Sequence, residues 1–120
     1  MKKYLVIIFM LFPIFPAFGE NWKKEDTYRE LTWTALLIAD YGQTMNIAKN
    51  PDKYHEYNPI LGSHPSQSSV NVYMLSAAII HPAISYILPP KYRKWWQYIT
   101  IGIEIGAVTN NFIAGIGISF

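Results

Sequence analysis

Three long windows of the chain contain neither Lys nor Arg: Leu31–Ala48, Val70–Leu88 and Trp95–Phe120. Each holds about 18–25 residues, enough for ~27–37 Å of helix at 1.5 Å per residue, which is the reach needed to cross a hydrocarbon core. A soluble helical protein with a very apolar core is the alternative, but three successive windows without a basic residue speak against it. The windows therefore predict an all-α fold, a small transmembrane helical bundle. Composition agrees. Only 15% of the 120 residues are charged and 51% are hydrophobic, whereas a soluble domain carries about 25% charge. The formal charge of +2 comes without a basic run, so nucleic acid is not an expected partner. With no Cys, disulfides, thiolate metal sites and Cys nucleophiles are excluded, and the redox compartment stays open.

The N-terminus reads as a secretory signal over residues 1–19. Lys2 and Lys3 precede an apolar run, and Ala17 and Gly19 are small residues ahead of a cleavage before Glu20. The other reading is a retained anchor, which would give four spans. Its run is short for a span, and Pro13 and Pro16 disturb a helix there. Residues 20–30 read as a polar interfacial segment with Trp22 and Tyr28 suited to a membrane surface. Residues 31–120 read as a three-span domain with an ordered loop at 50–69. Pro51 closes the first window, Pro89-Pro90 the second, and Trp95, Trp96 and Tyr98 form an aromatic belt at the start of the third. Orientation stays open. An exported mature N-terminus would put Lys23, Lys24, Arg29, Lys91, Arg93 and Lys94 outside, against the positive-inside rule.

Each span carries one polar stripe at helical spacing. Trp33, Leu37, Asp40, Thr44 and Ile47 form the first, with Gln43 beside Asp40. Asn71, Met74, Ala78, His81 and Ser85 form the second; Gln97, Thr100, Glu104, Ala107 and Asn111 form the third. Lipid-facing polar stripes are costly, so the three should meet. The expected intramembrane cluster is Asp40, Gln43, Thr44, His81, Glu104 and Asn111. Counting ~1.5 Å per residue from the flanking prolines places Asp40, His81 and Glu104 at similar depth near the midplane. Three roles remain open for that trio: a hydrogen-bonded network joining the helices, a path for protons or ions, or a site for a divalent metal. Gly102 and Gly106 form a GxxxG pair, which signals helix contact.

The loop carries Asn58-Pro59, Leu61-Gly62 and His64-Pro65, all turn or extended signals, and Ser66 or Ser68 is placed to cap the second helix. Its His55, Glu56, Asn58 and His64, with Asn71 and Asn110 at the adjoining helix ends, are expected to form an ordered loop. The succession Asp40-x-x-Gln43-Thr44, Glu56-x-Asn58-Pro59-Ile60-Leu61-Gly62-x-x-Pro65-Ser66, His81, Trp96-Gln97 and Glu104 resembles a group of small bacterial and phage integral membrane proteins. The resemblance implies a helical membrane protein of the bacterial inner membrane and supplies no catalytic residue. His55-Glu56 lacks the second His of a zinc-binding helix, and no P-loop or Ser-His-Asp order is present. The expectation is a structural or interaction component of the envelope rather than an enzyme, in contact with lipid and with a homo-oligomer or envelope protein as partner. Proton or ion conduction and a metal-dependent membrane hydrolase are the alternatives. No cofactor is expected beyond the divalent metal considered for Asp40, His81 and Glu104.

Overall fold

A computed structural model describes residues 19–120. Within them the chain forms three helices and no strand: α1 (Lys24–Lys49), α2 (Gln67–Ile87) and α3 (Pro90–Ile113). The expected signal segment falls almost wholly outside the described residues. Among them one helix, α2, is long and apolar enough to cross a membrane.

The polar segment before the first window is not a separate interfacial piece. Its residues from Lys24 onward are the first turns of α1, and Asp26 and Glu30 are buried. The helix starts early because Asp26 Oδ2 accepts a 2.9 Å bond from the Lys23 amide, and Glu25 and Asp26 put negative charge in the first turn. At 26 residues, α1 is ~39 Å long. The extra turns carry acidic side chains into a level of the bundle that the window-based reading leaves empty.

Proline shapes the α2–α3 hairpin. Pro90 opens α3 at a first-turn position where no amide is needed. Pro89 stands four residues after Ser85 and has no N–H to offer the Ser85 carbonyl. Arg93 fills that gap: its Nε donates to Ser85 O at 2.7 Å and its Nη2 to Leu88 O at 3.0 Å. Ser66 caps α2 at its other end, its Oγ accepting from the Ser69 amide at 3.1 Å.

The third window does not stay helical to its end. Gly115 takes φ +83°, the Gly115 amide bonds to Phe112 O at 3.0 Å, and the Ile116 amide bonds to Asn111 O at 2.9 Å. Those two bonds make a Schellman turn, which a left-handed glycine permits. The chain then runs back along α1, where Ser119 N donates to Gly42 O at 3.0 Å and Asn46 Nδ2 to Gly117 O at 3.0 Å. Gly42 is required there, because a Cβ would overlap Ile118 and lie 3.0 Å from Phe120 Cε2.

The buried apolar cluster is small, centred on Trp33, Leu37, Met45, Val70 and Met74. Beside it lie nine buried polar or charged residues, while large apolar side chains such as Ile38, Ile80, Ile99, Ile103 and Ile113 are exposed along all three helices. So many polar groups inside and so many large apolar ones outside depart from the pattern of a water-soluble bundle.

Candidate functional site

The interior polar residues fall into two groups at different levels. The upper one lies near the hairpin. Arg93, fully buried, pairs with Asp26 through Nη1 to Oδ2 at 3.2 Å, and Arg29 bonds to the other Asp26 oxygen. One turn on, Glu30 receives Ser85 Oγ and, at 3.1 Å, Gln97 Nε2 on Oε1, while His81 Nδ1 lies 3.1 Å from Oε2. A carboxylate only accepts, so that ring nitrogen carries the proton. His81 Nε2 sits 2.7 Å from Thr100 Oγ1. The imidazole is clamped between two indoles, parallel to Trp33 at 3.7 Å between ring centroids and tilted 25° from Trp96 at 4.8 Å. Gln97 also joins α3 to α1, accepting Arg29 Nε at 2.7 Å and donating to Asp26 O at 3.0 Å. Two acids face two guanidinium groups here, so charge balances, and each carboxylate has several donors. Such a satisfied group is a clamp that fixes register.

The lower group is built differently. Asp40 of α1 and Glu104 of α3 hydrogen-bond through their carboxyl groups, with Thr44 Oγ1 3.2 Å from Asp40 Oδ1. Two carboxylate oxygens cannot both accept, so a bond between the two groups needs at least one proton on the pair. Glu104 Oε2 is buried and has no hydrogen-bond partner. Below the pair, Asn111 Nδ2 donates to Gln43 Oε1 at 3.1 Å, and Gln43 Nε2 donates to Val108 O at 3.2 Å.

Asp40 and Thr44 also line a partly open cavity of about 330 Å³ beside the loop. Its polar wall adds Glu56, Asn58, Asn110 and Asn111, its apolar wall includes Leu61, Met74 and Ile103, and among the described residues no basic side chain lines it. The loop beside it is fixed by its own backbone. Glu56 Oε1 accepts from the Tyr57 and Asn58 amides at 2.9 and 3.0 Å, and Asn58 Oδ1 accepts from Ile60 N at 2.9 Å. The Glu56 amide donates to Ser63 O at 2.8 Å, and Gly62, at φ +80°, donates to Asn58 O at 3.0 Å.

The structure thus separates the expected trio. Asp40 and Glu104 meet, but His81 belongs to the upper group, bound to Glu30 and Thr100. About ten residues of α1, ~15 Å, lie between Glu30 and Asp40. Depth counted from the prolines failed because α1 begins before its window and carries Glu30 to the level of His81. The metal reading loses its ligand set with it: among the described residues no three His, Asp or Glu side chains gather closely enough to hold a metal ion. Of the remaining candidates, Gln43, Thr44 and Asn111 sit beside the pair. Glu56, Asn58 and Asn110 are at the cavity. His55, exposed, packs edge-on against Tyr57 at 4.7 Å between ring centroids, and His64 is exposed. Asn71 accepts from the Tyr41 hydroxyl.

Asp26, Arg29, Glu30 and Arg93 were not among the expected site residues, yet a signal for three of them exists. Asp26, Glu30, Trp33, Leu37, Asp40 and Thr44 continue one alternating four-and-three spacing, as do Arg93, Gln97, Thr100, Glu104 and Asn111 with Ala107. Both stripes extend past the windows free of Lys and Arg. The chain matches no family model, no curated protein and no solved structure.

Proposed function

We propose that this chain is a multi-pass protein of a bacterial or phage-encoded envelope membrane, with a structural or interaction role, clamped by the upper polar network. The observation that carries this reading is the inverted distribution of side chains: buried Asp26, Glu30, His81, Arg93 and Gln97 against exposed isoleucines on every helix. In lipid, apolar side chains outside cost nothing and polar ones must turn inward. Mean hydropathy undervalues α1 and α3 as spans, because it counts inward-facing Thr, Gln, Asn, Asp and Glu as though lipid met them. The test is alkaline extraction and flotation of membranes from expressing cells. Recovery with the floated lipid supports the reading; recovery in the soluble fraction contradicts it.

A second reading, proton or ion handling, is favoured by the lower pair. Its two carboxyl groups in contact, the unpartnered Glu104 Oε2 and the adjoining cavity are the features that support it. Proteoliposomes loaded with a pH-sensitive dye distinguish the two. Dissipation of an imposed gradient that Glu104→Gln abolishes supports handling of protons; a tight membrane with both proteins leaves the structural role alone.

A further inference from the structure

We infer that the loop-lined cavity is a binding site for a small organic cation, an ammonium group on a short apolar body. The inference rests on the second reading above and names its ligand. The sign of the ligand follows from the wall. Asp40 and Glu56 both line the cavity, Glu104 bonds directly to Asp40, and among the described residues no Lys, Arg or His lines the space. Amide and hydroxyl groups from Asn58, Asn110 and Thr44 offer acceptors, and the Tyr57 ring offers a face for a cation. An apolar portion of the ligand meets Leu61, Met74 and Ile103. Size excludes a bare metal ion as the natural occupant. The cavity, about 330 Å³, lies in the range of small-molecule pockets, ~300–1,000 Å³, and no three-residue metal-binding group exists among the described residues. The site is built before any ligand arrives, because the loop is held by its own backbone hydrogen bonds through Glu56, Asn58 and Gly62.

Binding exchanges the cation for a proton. On this proposal the Asp40–Glu104 pair begins with one shared proton and one negative charge; as the ammonium enters, that proton leaves to solvent and the ammonium N–H groups bond to Asp40, the member of the pair that lines the cavity. The charge within the site is the same before and after. Since binding releases one proton, it strengthens as pH rises, by about tenfold per pH unit while the pair remains protonated.

The experiment is isothermal titration calorimetry of the whole chain in detergent micelles with phenethylammonium, in two buffers of different ionisation enthalpy. Its uncharged analogue 2-phenylethanol is the control. The expected result is saturable binding of phenethylammonium, at least about tenfold tighter than the alcohol, with about one proton released per cation and the pH slope given above. Glu104→Gln should remove both the proton release and the pH slope, and Glu56→Gln should weaken binding while circular dichroism shows the helices intact. Equal affinity for the alcohol, absence of saturable binding by the cation, or binding without proton release each overturns the inference. Because the readout is binding and not flux, a cation that binds in a protein that moves no protons across liposomes would refute the transport reading and leave the site standing.

Discussion

Replacing Arg93 with Met tests whether the upper network is the clamp of the bundle. The guanidinium is fully buried and makes four polar contacts: Ser85 O at 2.7 Å, Leu88 O and Glu20 O at 3.0 Å each, and Asp26 Oδ2 at 3.2 Å. Its planar group also lies 4.8 Å from the Trp22 ring. Asp26 would still have Arg29 and the Lys23 amide, so its charge is not abandoned. The Ser85 carbonyl has no such substitute, since Pro89 lacks an N–H, and an unsatisfied buried acceptor costs about 1–3 kcal/mol. Adding the weakened ion pair and the lost bonds to Leu88 O and Glu20 O brings the expected loss to about 3–5 kcal/mol. Thermal unfolding in detergent, followed by circular dichroism, should show a fall of at least ~10 °C for a chain of this size. Arg93→Lys keeps the charge but not the fork, and should lie between. Lys94→Met, an exposed neighbour, should stay within about 0.5 kcal/mol of the parent. If Arg93→Met is as stable as Lys94→Met, the hairpin does not depend on this side chain and the clamp argument fails.

Three other outcomes follow from the packing. Gly42→Ala should release the C-terminal tail, because its methyl collides with Ile118; limited proteolysis would then cut after residue 113 far faster, while unchanged cleavage would mean the tail is not seated on α1. Gly102→Ala and Gly106→Ala meet no atom within 4 Å, so a lone bundle should tolerate both without loss of stability; weakened self-association in crosslinking would instead assign this face to a second copy of the chain. Glu56→Ala frees two loop amides that are only partly buried, so its cost should be about 1 kcal/mol in unfolding titrations, and a loss above about 3 kcal/mol would show that Glu56 supports more than the loop.

Much of the fold was legible. Windows free of basic residues located three helices, prolines located the turns, and Ser66 was readable as a cap. The pairing of Asp40 with Glu104 was also legible, since each lies on a polar stripe that has to face inward. The position of His81 was not, for a definite reason: its partner Glu30 sits in a stretch whose Lys, Arg, Asp and Glu residues look like a solvated segment. Charge composition alone cannot tell a solvated turn from a neutralised one. Only when Asp26 meets Arg29 and Arg93, brought together from three turns of two helices, does that stretch become interior. The return of the tail was similarly hidden, because Ile116, Ile118 and Phe120 continue an apolar run and only Gly115 marks the break.

In the proposed arrangement the bundle turns polar side chains inward and apolar ones to lipid. The chain contains no Cys, so single cysteines can be introduced at will and spin-labelled after reconstitution. Labels at Ile38, Ile80 and Ile103, one exposed apolar position on each helix, and at Ile60 on the loop sample the two environments. Oxygen, which concentrates in lipid, should relax the three helix labels more strongly than a water-soluble nickel chelate does, with the reverse at Ile60. Ready access of the chelate to all three helix positions would place this bundle in water and contradict that arrangement.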